Sequence, residues 1–259
     1  MNPLIRLVRQ YTENVSYTVR WGIARGMKRK GGLQFIPQIT KLRAEEIHLM
    51  GLDLTGKTVY DIGGFEGIFT LHFSRATGAN GHVVTFEPNP INQKKIETNI
   101  ALNSITNTRL MKVGLGSKLE TLTLVVPVGE RESGTVNNNA QQRYLGDPSH
   151  REVQVVVDSL DHLIAQESLP VPDFMKIDIE GFENEALKGA SQLLSTRKPA
   201  MHIEIHTHVF DAMTDKRKYL DELLQILFGH GYSITCVETG EQVTASSTSL
   251  FEESHFYCV

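Results

Sequence analysis

A chain of 259 residues with 40% hydrophobic content has room for one generous α/β domain and a terminal extension, and not for two full domains. Its formal net charge of −4 supplies no overall basic field for a polyanion, which argues against a nucleic-acid substrate. Cys236 and Cys258 sit in apolar runs and read as buried thiols of a reducing compartment, no run reaches the ~18 apolar residues of a membrane span, and Arg6 and Arg9 interrupt the core a signal peptide needs, so a cytoplasmic location is expected.

Residues 1–56 read as a basic, helical N-terminal extension. Arg6, Arg9, Arg20, Arg25, Lys28, Arg29 and Lys30 face a single acid, Glu13, in the first thirty positions. Leu4, Leu7 and Val8, then Val15, Val19 and Ile23, recur at helical spacing, which predicts an amphipathic helix with a cationic face. Such a face either rests on an anionic membrane surface or is simply solvated while the apolar edge packs on the domain behind it.

Residues 57–259 read as one domain in which strands alternate with helices. Strands are expected near Thr58 to Asp61, His82 to Glu87, Thr108 to Val113, Asp173 to Ile179, Ala200 to Ile205, Tyr232 to Val237 and His255 to Val259. Helices are expected near Phe65 to Arg75, Pro90 to Leu102, Asn184 to Leu194 and Lys216 to Phe228, the second started by an Asn89 cap and Pro90 at the first helical position. That alternation predicts a mainly parallel sheet covered on both faces. Two extra β-like stretches, Glu120 to Pro127 and Glu152 to Val157, predict an inserted strand pair. The polar segment from Ser133 through Asn137, Asn138 and Asn139 between them is either an acceptor-binding loop or merely disordered. No helix separates the last two strands, so they should close the sheet as an antiparallel hairpin.

The most specific local pattern runs Val59-Tyr-Asp-Ile-Gly-Gly-Phe-Glu-Gly67, followed by Phe86-Glu87-Pro88. A strand ending in an acid, a glycine turn, a helix and a second strand ending in an acid make the first half of a nucleoside-binding α/β unit. A dinucleotide fingerprint needs G-x-G-x-x-G to bring backbone against a pyrophosphate. Here the order is Asp61-x-Gly63-x-x-x-Gly67 with a second acid at Glu66. Carboxylates repel a pyrophosphate and suit a ligand bearing an ammonium and a sulfonium, S-adenosylmethionine (SAM), with Glu87 placed for the ribose hydroxyls. The glycines alone also fit a plain tight turn.

The segments Tyr60-Asp-Ile-Gly-Gly-Phe-Glu-Gly-Ile-Phe-Thr70, Phe86-Glu-Pro-Asn-Pro90, Asn99-Ile-Ala-Leu-Asn103, Val157-Asp-Ser-Leu-Asp161, Met175-Lys-Ile-Asp-Ile-Glu-Gly181 and Ile203-Glu-Ile-His206 together resemble the FkbM family of SAM-dependent methyltransferases. The resemblance implies a Rossmann-like class I methyltransferase fold: a mainly parallel seven-stranded sheet with an antiparallel last strand, helices on both faces and the inserted β pair. It implies SAM as cofactor, held by Asp61, Gly63, Gly64, Phe65, Gly67, Glu87, Pro88 and Asp178. It further implies O-methylation of a small-molecule or carbohydrate acceptor: a hydroxyl on a sugar, glycolipid or polyketide-type natural product. The family's first loop typically reads Asp-x-Gly-Ala-Asn-x-Gly, whereas this chain carries Gly64-Phe65-Glu66 there, and Phe65 has no side-chain donor.

In an open α/β sheet the ligand lies beyond the carboxyl ends of the strands, where Asp178, Glu180, Glu204 and His206 fall. Asp178 and Glu180 are candidates for orienting the acceptor or SAM, Asp178 or His206 for accepting the hydroxyl proton, and Lys176 for pairing with a neighbouring carboxylate. The same cluster also fits a polar strand end that caps the next helix. His202, Glu204, His206 and His208 alternate along one strand and, with Asp178, could hold a divalent ion, although the site is assigned without metal. Two other functions fit the pattern: a nicotinamide-dependent oxidoreductase built on the same half-fold, and a non-catalytic binding module. No feature of the sequence sets an oligomeric state.

Overall fold

The computed structural model describes residues 14–31, 42–127, 136, 147–148, 150–247, 249–252 and 254–259. Leu4, Leu7 and Val8, and the insertion's Ser133, Asn137, Asn138 and Asn139, lie outside them. The helix expected through Val15, Val19 and Ile23 is instead a hairpin, in which Ser16–Thr18 (β1) pairs antiparallel with Lys28–Lys30 (β2). Gly22 and Gly26 turn the chain between them at φ +77° and +88°, a region open to glycine at little steric cost. Val19 and Ala24 are buried in a cluster with Leu71, while Ile23 joins one with Leu49, Leu54 and Phe73. The cationic face is broken as well, because Arg29 is buried and ion-paired with Glu66.

After the helix Ala44–Gly51 (α1) the expected alternation begins. The elements are Thr58–Ile62 (β3), Ile68–Thr77 (α2), His82–Phe86 (β4), Pro90–Leu102 (α3), Thr108–Met111 (β5), Gly114–Leu115 (β6), Glu120–Pro127 (β7), His150–Asp158 (β8), Leu160–Gln166 (α4) and Phe174–Ile177 (β9). Glu183–Lys188 (α5), Ser191–Thr196 (α6), Ala200–Glu204 (β10), a 3₁₀ turn at Thr207–Val209, Met213–Gly229 (α7), Ile234–Cys236 (β11), Gln242–Val243 (β12) and His255–Cys258 (β13) complete it.

The main sheet has eight strands in the order β12-β11-β13-β10-β9-β3-β4-β5. The run from β10 to β5 is parallel, and β13 inserts antiparallel between β10 and β11. Seven strands were expected; the eighth, β12, is two residues long and too short to leave an alternating pattern. The insertion is a separate three-stranded sheet, because β6 joins β8 on the side away from β7.

Local chemistry explains the helix ends. Asn89 caps α3 by accepting a hydrogen bond from the Ile91 amide at 3.1 Å, with Pro90 just inside, an arrangement typically worth about 1 kcal/mol. The single helix expected over 184–194 is split into α5 and α6. At the break, a Cβ on Gly189 would lie 1.9 Å from the Gly116 carbonyl oxygen, so only glycine permits that approach. All five residues of β3 are buried, as a central strand covered on both faces requires. From β3 the chain winds to β4 and β5 on one side and later to β9 and β10 on the other. The strand order therefore reverses at the β3/β9 junction, where open α/β sheets leave a crevice.

Candidate active site

The glycine turn beyond β3 is shaped by contacts that exclude side chains. A Cβ on Gly63, which sits at φ +90°, would lie 1.8 Å from the Asp178 carbonyl oxygen, and one on Gly64 would lie 2.3 Å from Thr85 Cγ2. Phe65 follows at φ +48°, and Gly67 opens α2 at φ +83°. The turn is fastened to β4 by Glu87, whose Oε2 accepts from the Phe65 amide at 2.7 Å and Oε1 from the Asn89 amide at 2.8 Å. Burial pushes the Glu87 carboxyl up to about 7 despite those donors. Asp61 is also fully buried; burial outweighs the pull of Lys176 and lifts it to about 6. Thr70 Oγ1 donates to Asp61 Oδ2 at 2.6 Å, while Oδ1 has no hydrogen-bond partner. Glu66, beside the Phe65 that stands where the family pattern has Asn, is buried and pairs with Arg29 of the hairpin and with Lys95 at 2.7 Å.

A second group forms past β9. Lys176 is buried under the Phe69 ring, 4.2 Å from its centroid, and its Nζ lies 2.7 Å from Asp178 Oδ2 and 3.5 Å from Glu45 Oε1. The expected pairing with a carboxylate is therefore present. Burial opposes the Asp178 charge, but the Lys176 ammonium and His206 override it and hold the carboxyl well below its usual range. Glu180 takes φ +55° ahead of Gly181 at φ +90°, so the chain reverses sharply at the strand end.

His206 lies at the centre of four acids. Its Nδ1 is 2.8 Å from Glu183 Oε1, and its Nε2 is 3.6 Å from Asp178, 3.8 Å from Glu180 and 3.8 Å from Glu204. Burial alone would push the imidazole down; Glu183, Asp178 and Glu180 prevail and hold it up at about 10. The surrounding carboxylates thus favour the charged form of His206. β10 ends at Glu204, so His206 and His208 do not continue its face, and the expected row of four ligands does not form.

Glu183 was not singled out in the sequence. It accepts from Tyr219 Oη at 2.7 Å and from the Ile179 and Gly181 amides at 3.2 Å each, besides its contact with His206. Its signal was its place in the first turn of α5, two residues past Gly181.

Between these groups, at the carboxyl ends of β3, β4, β9 and β10, is a cavity of about 810 Å³, within the range of cofactor and ligand sites. Gly63, Gly64, Phe65, Glu87, Pro88, Asp178 and Glu180 line it, whereas Asp61, Gly67, Lys176 and His206 stand behind the wall. Glu204 joins the acidic side. The hairpin covers it with Val19, Trp21 and Ile23, and the insertion contributes Leu124 and Val157. Val19 and Ile23 belong to the apolar edge expected to pack on the domain, whereas Leu124 and Val157 come from the strands that flank the segment expected to bind the acceptor.

No curated protein matches the chain. The fold is similar to that of the methyltransferase FkbM from Methylobacillus flagellatus KT, with a TM-score of 0.51 and 18% identity over 83% of this chain and 50% of that one, so the chain spans half that protein's length. It is also similar to a protein from Klebsiella pneumoniae proposed to be an O-methyltransferase, with a TM-score of 0.50 and 12% identity over 85% and 82% of the two chains. The described residues have the class I methyltransferase sheet, with no helix among them long and apolar enough to cross a membrane. A model of the methyltransferase FkbM domain matches residues 61–234, well over half of the chain, and the protein accordingly belongs to the FkbM methyltransferase family.

Proposed function

We propose that the protein transfers a methyl group from SAM to a hydroxyl of a sugar, glycolipid or polyketide-type natural product. The observation that carries the reading is the cavity at the β3/β9 switch point, with a glycine cradle on one wall and Glu87, Asp178, Glu180 and Glu204 on the others. Gly63 and Gly64 leave no space for a side chain against Asp178 and Thr85, and both line the cavity. The buried Asp61 Oδ1 without a hydrogen-bond partner gives the turn a further acceptor beneath it. The acids suit a cationic donor and repel a pyrophosphate, which disfavours a nicotinamide dinucleotide in the same place.

When bound, SAM supplies an electrophilic methyl group on a sulfonium. Glu87, fixed by the Phe65 and Asn89 amides, is the residue for the ribose hydroxyls. Gly63, Gly64 and Phe65 would hold the methionine end. A hydroxyl acceptor finds hydrogen-bond acceptors in Glu180 and Glu204, and one of these two takes its proton. The His206 cation fixes the positions of those carboxylates, and the apolar hairpin and insertion walls exclude water. Alignment of the two reactants provides most of the acceleration.

Calorimetric titration with SAM, followed by assay of S-adenosylhomocysteine release with hydroxylated acceptors, tests the reading. Binding that weakens at least about tenfold in Glu87→Gln supports it. Thermal stabilisation by NAD and not by SAM would overturn it.

A further inference from the structure

Behind the cavity wall, Glu45 on α1, His202 on β10 and His255 on β13 bring a carboxylate oxygen and two imidazole nitrogens within 4.8 Å of one another. They are 2%, 0% and 7% exposed. Glu45 Oε1, both ring nitrogens of His202, and His255 Nε2 have no hydrogen-bond partner. Buried polar atoms in native proteins are nearly always partnered. Glu45 Oε1 has only the Lys176 ammonium at 3.5 Å, and the two imidazoles that converge with it have ring nitrogens with no hydrogen-bond partner, so the three side chains leave room for a shared ligand at their centre.

The surroundings suit a cation. Glu238 Oε1 lies 2.6 Å from His255 Nδ1, which orients the ring so that Nε2 faces Glu45 and Glu204, the placement found in carboxylate–histidine–metal arrangements. His255 Nε2 is 3.8 Å from Glu45 Oε2 and 3.7 Å from Glu204 Oε2. His202 is clamped between the rings of His48 and His255, with centroids 5.2 and 5.0 Å away. Against Glu45, Glu204, Glu238 and Asp178 stands the ammonium of Lys176, which contacts Glu45 at 3.5 Å and Asp178 at 2.7 Å.

We propose that Glu45, His202 and His255 bind a divalent transition-metal ion of the zinc type, with water in the fourth position. Two imidazoles and one carboxylate form an N₂O set that such ions favour over calcium or magnesium. The ion ties α1 to β10 and β13 and, through the Glu45–Lys176–Asp178 chain, supports the wall on which Asp178 stands. It is independent of whether the cavity takes SAM. The site also differs from the row expected along β10, sharing with it only His202.

The test uses untagged, full-length protein stripped of metal by chelation and titrated with Zn²⁺ in competition with a chromophoric chelator. One ion per chain is expected, with affinity lowered at least about 100-fold in His202→Gln and in His255→Gln, and about 10- to 100-fold in Glu238→Gln, which removes no ligand. Co²⁺ should give visible d–d absorption in the wild type that disappears in His202→Gln. Folded, stripped protein that takes up no Zn²⁺, or uptake unchanged in the histidine variants, would overturn the proposal. Should both histidine variants unfold, an unchanged affinity in Glu238→Gln overturns it.

Discussion

Replacing His206 with glutamine removes the cation that Glu183, Asp178, Glu180 and Glu204 share. Burial works against the charge, yet these carboxylates raise the imidazole from 6.5 in the unfolded chain to about 10 in the fold. A group whose folded value lies above its unfolded one stabilises fully below the unfolded value, and the contribution is lost as pH rises through the folded value. At pH 7 the gap corresponds to about 4 kcal/mol at about 1.4 kcal/mol per pH unit, in line with the roughly 3–5 kcal/mol lost when one partner of a buried ion pair is removed. Urea denaturation of wild type and His206→Gln at a series of pH values between 6 and 10 reads the difference directly. The stability gap should be largest at the acidic end of the series, below pH 6.5, and should narrow by about 1.4 kcal/mol for each pH unit between there and about 10. A gap below about 1 kcal/mol at pH 7, or one that does not change with pH, would refute the assignment of His206 as a buried cation.

The Glu87 carboxyl, pushed up to about 7 by burial, becomes a full acceptor only as it ionises. SAM affinity measured by calorimetry should therefore rise about tenfold between pH 6 and pH 8, and Glu87→Gln should abolish that rise. The same shift makes ionisation of Glu87 costly to the fold, so its contribution to stability is present below pH 4.5 and lost as pH rises through about 7. Gly63→Ala places a Cβ 1.8 Å from the Asp178 carbonyl at φ +90°; thermal and chemical denaturation should show a loss of about 2–4 kcal/mol, and a loss under 1 kcal/mol would contradict the described turn. Arg29→Met removes a cation from the buried Glu66, which also pairs with Lys95, and should cost about 3 kcal/mol and weaken SAM binding, whereas Arg25→Met, at an exposed position, should leave both unchanged within about 0.5 kcal/mol.

The parts of the fold that were legible were set by local chemistry. Asn89 and Pro90 mark the start of α3, and its expected end at Leu102 is observed. The apolar runs around Val59, Val83 and Met175 could be read as strands because they are buried on both faces. The hairpin of residues 16–30 was misread because Val15, Val19 and Ile23 are spaced four apart. The competing evidence, Gly22 and Gly26, carries its information in positive φ values that a periodicity does not reveal. The glycine turn and the acids at the strand ends could be expected to line one cavity, since chain order alone brings them together. Charge state was not readable: His206 looks like a base until Glu183, 23 positions away, is seen to touch it. Arg29 meets Glu66 across 37 positions, and no local rule pairs them.

The most direct measurement is a crystal structure grown with S-adenosylhomocysteine. The account predicts the adenosine beside Glu87 and Pro88 and the amino-acid end against Gly63 to Phe65, with the sulfur turned toward Asp178 and Glu180. A nucleoside bound outside the cavity between β3 and β9 would contradict it.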